Sequence, residues 1–169
     1  MISARTAPKA KGEDDLFTAL VLGKEKEVLA REMEKTGEER KAERFKRDAG
    51  NVRDSYAVVL LGIRGTKTLG LNCGACGFAT CEEYGRAPKK TGPDFVGPLC
   101  HLKLMDLGVA LGSAVKTASD LNVDNRVMYQ IGAAARRLKM LPEADVIYGI
   151  PISAKGKNIY FDRKPLTQK

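Results

Sequence analysis

Four cysteines, three of them crowded together, restrict the fold of this chain more than any other feature. Cys73, Cys76 and Cys81 lie within nine residues, and Cys100 follows after eighteen more. A 4Fe–4S cluster holds four irons, and each iron takes one thiolate. A tight loop can supply three ligands from one side while the fourth returns from a later part of the chain. The spacing therefore predicts a 4Fe–4S cluster bound by these four cysteines as metal ligands.

The same cysteines leave two other interpretations open. Structural zinc sites usually present two pairs of closely spaced ligands, and disulfides are rare in a reducing cytoplasm. Gly74 and Gly77 favour the cluster, because residues without a β-carbon allow the chain to wrap tightly. His101, directly after the last cysteine, is predicted to begin a helix rather than to contact the cluster.

The charge of the chain indicates which partners it favours. The net charge of +8 is consistent with a solvated charged surface, with an acidic redox partner protein or with a bound phosphate. The partner that we expect is a redox protein, acidic if this charge contributes to binding. The chain has no Trp and only 6% aromatic residues, which argues against a stacking surface for single-stranded nucleic acid. No nucleic-acid partner is expected.

Hydropathy gives an expectation for the compartment. The longest apolar run covers residues 57–63, whereas a membrane helix needs about 20 apolar residues. The polar, basic residues 1–12 contain no apolar core of a secretion signal. We expect a cytoplasmic protein with no membrane span.

Hydrophobic patterning predicts an α/β (α+β) fold: one domain of residues 1–169 with a four-cysteine insert at residues 64–101. The insert is rich in Gly and Pro, which indicates irregular backbone. Continuous aliphatic runs predict buried strands at residues 55–63 and 145–152. Helical patterning is found at residues 24–46, 80–86, 101–118 and 126–139. Residues 16–22 fit either a short helix or a strand.

Two of these helices carry informative patterns. In residues 101–118 the residues on one predicted apolar stripe are Leu104, Leu107, Leu111 and Val115. Gly108 and Gly112 would form a smooth strip beside it, where another backbone or a flat cofactor could approach. In residues 126–139 the residues predicted to point inward are Met128, Ile131, Ala135 and Leu138.

The cysteine motif resembles a known iron–sulfur domain. Cys-Gly-x-Cys-Gly-x-x-x-Cys with one later Cys is similar to the four-cysteine domain of the B subunit of Rnf-type electron-transport complexes and of the corrinoid iron–sulfur protein. The resemblance implies that all four cysteines bind a 4Fe–4S cluster. Over nearly its full length the chain also resembles a family of uncharacterised ferredoxin-domain proteins. The segments that carry this likeness are residues 5–12, 45–51, the cysteine loop, 106–125, 149–158 and 162–163.

Outside the insert the chain distantly resembles nitroreductases, on its early Ala-Pro segment, its small-residue helix and its late Arg163-Lys164-Pro165-Leu166. That resemblance implies a mixed sheet flanked by helices, a homodimer, and an FMN site between subunits. The FMN-binding residues that it implies are Arg5, Lys9, Gly108, Gly112, Arg163 and Lys164. No catalytic residue is predicted.

Three functions follow from these observations. The first is a ferredoxin-like electron-transfer protein with a 4Fe–4S cluster, with FMN as a second centre if it acts as an oxidoreductase. The second is a sensing or binding module whose partner recognition depends on the cluster. The third is a structural zinc protein.

Overall fold

The computed structural model describes residues 1–161, which form a sheet between two layers of helices. The strands, in chain order, are β1 (Leu16–Val21), β2 (Ala57–Ile63), β3 (Lys90–Thr91), β4 (Val96–Gly97), β5 (Asp124–Asn125) and β6 (Val146–Ser153). The helices are α1 (Ile2–Arg5), α2 (Gly23–Glu39), α3 (Glu43–Asp54), α4 (Cys81–Arg86), α5 (His101–Asp120) and α6 (Tyr129–Arg137), with a 3-10 turn at Ala10–Gly12.

The main sheet has the strand order β1-β2-β6-β5. All seven residues of β2 are buried, as its unbroken aliphatic sequence predicts for a strand covered on both faces. Residues 16–22, left open between helix and strand, form the edge strand β1. The predicted fold class is confirmed, with one correction: within residues 1–161 the neighbouring strands of this sheet all pair antiparallel, so the sheet is not mixed.

Each face of the sheet has its own core. Helices α2, α3 and α6 cover one face, where Leu29, Met33 and Ile131 are fully buried. Helices α1 and α5 cover the other face, where Ala4 and Leu107 are buried. The two helical layers thereby enclose β2, and the cysteine-containing chain departs from the end of this strand.

The contact between α6 and β6 depends on two glycines. A β-carbon on Gly132 would lie 1.7 Å from the carbonyl oxygen of Ile147, and one on Gly149 would lie 2.0 Å from Cγ2 of Ile131. Neither approach leaves room for a side chain. The predicted inward-facing residues of this helix are confirmed for Met128, Ile131 and Ala135, which are at most 2% exposed.

The helix predicted at residues 24–46 is wrong as a single element. Helix α2 ends at Glu39, Lys41 takes a left-handed φ of 52°, and α3 begins at Glu43. Gly37 is buried because α3 crosses it closely: a β-carbon there would lie 2.9 Å from Cβ of Phe45. The charged, helix-favouring composition gave no indication of this reversal.

Helix α5 departs from its predicted stripe at Leu104, whereas Leu111 and Val115 pack against the core as predicted. Leu107 is 2% exposed, but Leu104 is 38% exposed. The buried residues are Lys103, Asp106, Leu107 and Ala110. They form one helical stripe that includes two charged residues.

None of the helices within residues 1–161 combines the length and the apolar composition of a membrane crossing. We call residues 64–101 the cysteine segment and the rest of the described chain the frame. The cysteine segment leaves β2, contains α4 and the small β3–β4 hairpin, and returns at the start of α5.

Candidate metal centre

The first three cysteines lie on a loop that turns by left-handed backbone. Gly74 and Gly77 have φ of 74° and 87°, a conformation that glycine adopts at little cost. The amide of Gly77 donates to the carbonyl of Gly74 over 2.9 Å, which closes the turn between Cys73 and Cys76. The predicted tight path is therefore present.

Cys81 is fixed at the start of α4. The Thr80 hydroxyl accepts a hydrogen bond from the Glu83 amide, and the Glu83 carboxylate accepts one from the Thr80 amide, which is a complete capping box. The amide of Cys81 donates to Oδ1 of Asn72 over 2.8 Å, and the Asn72 amide lies 3.4 Å from Sγ of Cys81. Asn72, the residue before Cys73, thus connects Cys81 to the start of the cysteine loop.

Cys100 is anchored where the segment rejoins the frame. It is only 7% exposed, and its amide donates to the carbonyl of Gly65 over 2.8 Å. His101 begins α5, as predicted, and its Nδ1 lies 3.7 Å from Sγ of Cys73. Cys73 therefore lies beside His101, the residue that follows Cys100, at the N-terminal end of α5.

Tyr84 is the buried centre of the segment. Its hydroxyl donates to the carbonyl of Pro98 over 2.8 Å, and its ring meets the edge of Phe78 with centroids 5.6 Å apart. Burial, together with the negative charges of Cys100 and Cys76, raises the pKa of Tyr84 to about 12. The phenol therefore stays protonated as a donor, and it lies close to two of the four cysteines.

Two carboxylates of the frame hold the ends of the segment. Asp145 accepts from the amide and hydroxyl of Thr66 at 2.8 and 2.7 Å. Asp15 lies 3.1 Å from Nζ of Lys67 and 2.7 Å from Nζ of Lys103, a lysine with no exposed surface. Burial alone would raise the pKa of Asp15, but the hydrogen bonds from these lysines outweigh it and hold that pKa below its ordinary value.

Sequence reasoning missed these supporting residues. Lys103 lies three positions before Asp106 and four before Leu107, so the spacing of the buried face of α5 could have located it. Asp15 is separated from Lys103 by 88 positions, and no local pattern connects them.

The four cysteines fit the donor set of an iron–sulfur cluster by residue type, loop path and shared surroundings. All four are free thiols; Cys73 is exposed, Cys76 and Cys81 are half-buried, and Cys100 is buried. Within residues 1–161 no three His, Cys, Asp or Glu side chains lie close enough together to hold a metal ion. The loop thus places the cysteines in one neighbourhood without bringing their sulfurs into a ligating arrangement.

The described residues expected to bind FMN lie on two adjoining parts of the fold, the N-terminal residues 1–12 and helix α5. Arg5 donates to the carbonyl of Leu16 and pairs with Asp14 at 2.6 Å, while Lys9 donates to two carbonyls of its own segment. Gly108 and Gly112 are exposed on α5, with nothing within 4 Å of a β-carbon placed on either. Arg163 and Lys164 lie outside the described residues.

Comparison with protein families gives a match over residues 96–163, to the family described as "Uncharacterized protein containing a ferredoxin domain (DUF2148)". A protein of Archaeoglobus fulgidus, described as "Uncharacterized protein", is 51% identical over 163 residues, which are 96% of this chain and 87% of that protein.

Solved structures with a similar fold are nitroreductases and related flavin oxidoreductases. The NADPH:FMN oxidoreductase of Vibrio harveyi complexed with NAD+ matches with a TM-score of 0.57 at 13% identity, over 93% of this chain and 57% of that one. NfrA2 of B. megaterium matches with 0.56 at 14% identity, over 93% and 56%. A nitroreductase with bound FMN from Desulfitobacterium hafniense DCB-2 matches with 0.55 at 13% identity, over 92% and 74%. At such identities the likeness is one of fold, and the chain spans little more than half the length of the first two proteins.

Proposed function

We infer that this chain, which belongs to the ferredoxin-domain family and has a nitroreductase-like fold, is an electron-transfer protein that binds one 4Fe–4S cluster. The ligands we propose are Cys73, Cys76, Cys81 and Cys100. The observation that supports the proposal is that a residue of the same segment contacts or lies near each cysteine: Asn72 near Cys81, His101 near Cys73, and Tyr84 near Cys76 and Cys100.

The chain would give such a cluster two unequal sides. When bound, a 4Fe–4S cluster supplies a one-electron carrier whose potential depends on burial and on hydrogen bonds to its sulfurs. Cys100 is buried against the frame and excludes water there, whereas Cys73 is exposed. Electrons would therefore enter and leave through the side that carries Cys73 and Cys76, and the frame would keep the opposite side rigid.

The decisive experiment is the composition of protein purified without oxygen. We expect about four irons and four acid-labile sulfides per chain, with an EPR signal that appears on reduction. A Cys76→Ser variant should lose this signal, and the matched control Ala75→Ser, which alters the neighbouring exposed residue, should keep it. One zinc per chain with neither iron nor sulfide would overturn the proposal and favour a structural zinc site.

A flavin-assisted oxidoreductase is the second candidate. It is favoured by the fold likeness to a nitroreductase with bound FMN and by the open backbone at Gly108 and Gly112. The internal contacts of Arg5 and Lys9 do not fit a phosphate-binding role, so we derive no step through FMN. Flavin measured in the same anaerobic sample decides between this candidate and a cluster-only carrier.

The exposed face of α5 supports a homodimer. Leu104, Met105 and Val109 are 38%, 57% and 42% exposed on a helix whose other face is already buried. A helix that is apolar on all sides is normally covered, and we propose that a second copy covers this one. Sedimentation at several protein concentrations measures the oligomeric state directly.

A further inference from the structure

A groove lies beside the proposed cluster ligands, between the end of α4 and the β3–β4 hairpin. Its volume is about 920 Å³. We call it the hairpin groove, and its principal lining residues are Phe78, Pro88, Lys90, Phe95, Pro98 and Leu99. Its floor is apolar, and it is open to solvent along the outer side of the hairpin, where residues 88–92 are exposed.

The hairpin groove adjoins the cysteines at both ends. Phe78 follows Cys76 by two residues, and Leu99 directly precedes Cys100. The rings of Phe78 and Phe95 are held inward, because Phe78 meets the edge of Tyr84 and Phe95 meets the edge of Tyr129 at 5.3 Å between centroids. The groove is therefore lined by residues that flank Cys76 and Cys100 in the sequence.

The rim of the groove is basic. Lys89 and Lys90 are exposed at the hairpin. A second basin of about 410 Å³ shares Thr91 and Gly92 with the groove and is lined by Arg136, Arg137 and Lys139. Within residues 1–161 neither Lys90 nor Lys139 forms an ion pair. Lys90 and Lys139 are therefore available to a partner, whereas Arg137 is already paired with Glu32 and Glu39.

Acidic residues close to this surface are already neutralised. Asp94 pairs with Arg40 at 2.7 Å, and Glu82 pairs with Arg86. Glu83 is used by the capping box of α4. Asp94 and Glu82 therefore do not cancel the charges of Lys90 and Lys139, whereas the exposed Glu143 beside Pro142 is an acidic residue that adjoins the second basin.

We propose that the hairpin groove is the docking site of an acidic electron-carrier protein. The inference rests on the proposed function and assigns its partner surface. An apolar patch with a charged rim is the composition of protein–protein interfaces, and complementary charge steers encounter without requiring high affinity. A lipid surface is the less favoured occupant, because Phe78 and Phe95 pack inward and leave no protruding aromatic side chain to insert.

The test uses calorimetry at low and high ionic strength. It measures the binding of a purified acidic [2Fe–2S] ferredoxin to the anaerobic, iron-containing protein. We expect binding that weakens as salt is added, because exposed charges are screened within about 10 Å at 0.1 M salt. A Lys90→Glu/Lys139→Glu variant should raise Kd by about tenfold or more at low salt. The control Lys155→Glu/Lys157→Glu makes the same change in net charge at exposed residues after β6 and should leave Kd within about twofold.

Equal weakening by the two variants, or binding without salt dependence, would overturn the docking site. So would binding to phosphatidylglycerol vesicles with no binding to the ferredoxin. Iron and sulfide are measured on the same samples: full iron with failed docking overturns this inference alone, whereas absent iron overturns the proposed function.

Discussion

The frame and the cysteine segment are stabilised in different ways. In the frame, every residue of β2 is buried, and apolar side chains fill both faces of the sheet. In the cysteine segment the fully or nearly buried residues are Gly65, Leu69, Tyr84 and Cys100. The segment is positioned instead by hydrogen bonds and ion pairs that reach back to the frame through Asp15, Arg40 and Asp145. A few polar contacts therefore position the cysteine segment, whereas hydrophobic burial stabilises the frame.

The largest expected effect comes from removing the carboxylate that holds both ends of the segment. Asp15→Asn leaves the ammonium of Lys103 buried without its counter-charge, and we expect a loss of about 3 kcal/mol in the free energy of unfolding. Urea denaturation measures the loss, and faster hydrogen exchange at the Cys100 amide would place it in the segment. Asp14→Asn is the matched control: the Arg5–Asp14 pair is largely exposed, so its loss should be below about 1 kcal/mol. Equal losses in the two variants would contradict the special role of Asp15.

A smaller effect is expected from a change confined to the frame. Gly132→Ala places a methyl group against the carbonyl of Ile147, and overpacking of this kind costs about 1–3 kcal/mol. Gly108→Ala, at an open position on α5, should raise stability by up to about 1 kcal/mol through helix propensity. Thermal unfolding compares the two variants, and thiol labelling under native conditions should stay unchanged in both. A destabilising Gly108→Ala would show that the frame helices are closely covered there in solution.

The smallest expected effect concerns the tie between the two regions. Asp94 of the segment accepts hydrogen bonds from Arg40 and Tyr129 of the frame. Burial raises the pKa of Asp94, but the hydrogen bonds from Arg40 and Tyr129 outweigh it and hold that pKa below 3.8. Since the folded pKa is the lower one, the tie stabilises the protein above pH 3.8 and is lost as the pH falls through the folded value.

The same tie has an alkaline limit. Burial and the bond to Asp94 raise the pKa of Tyr129 from 10.0 to about 12, so its contribution is present below pH 10 and is lost as the pH rises toward 12. Asp94→Asn should cost about 1 kcal/mol near pH 7 and should flatten the pH dependence of unfolding at both extremes. Urea unfolding from pH 2.5 to 11.5 provides the comparison. An unchanged profile in the variant would show that other groups carry the pH dependence.

The sequence predicted the frame better than its connections. Strand β2 and helix α5 were found because aliphatic continuity and helical spacing report burial directly. The break between α2 and α3 was missed, since it depends on the left-handed Lys41 in a stretch of otherwise good helix formers. The exposure of Leu104 was missed as well, because an apolar residue in a helical pattern can lie either in the core or on the surface.

The candidate site divides in the same way. Cysteine spacing located the loop and its turns, because tight wrapping requires glycine where φ is positive. The roles of Asp15 and Lys103 could not be predicted, since their pairing depends on the sheet bringing distant parts of the chain together. That the four cysteines bind a 4Fe–4S cluster stays a prediction.

The way Asp15 holds the segment bears on how chains of this family can vary. Asp15, just before β1, accepts a hydrogen bond from the backbone amide of Arg64 and pairs with the side chains of Lys67 and Lys103. Because one residue holds all three, the distance between the ends of the segment does not depend on the length of the segment. The entropy of closing a loop grows only with the logarithm of its length, at about 0.6 kcal/mol per doubling. Residues can therefore be inserted in the exposed stretch 88–92 with little effect on the sheet, and the segment can diversify while the same scaffold is retained.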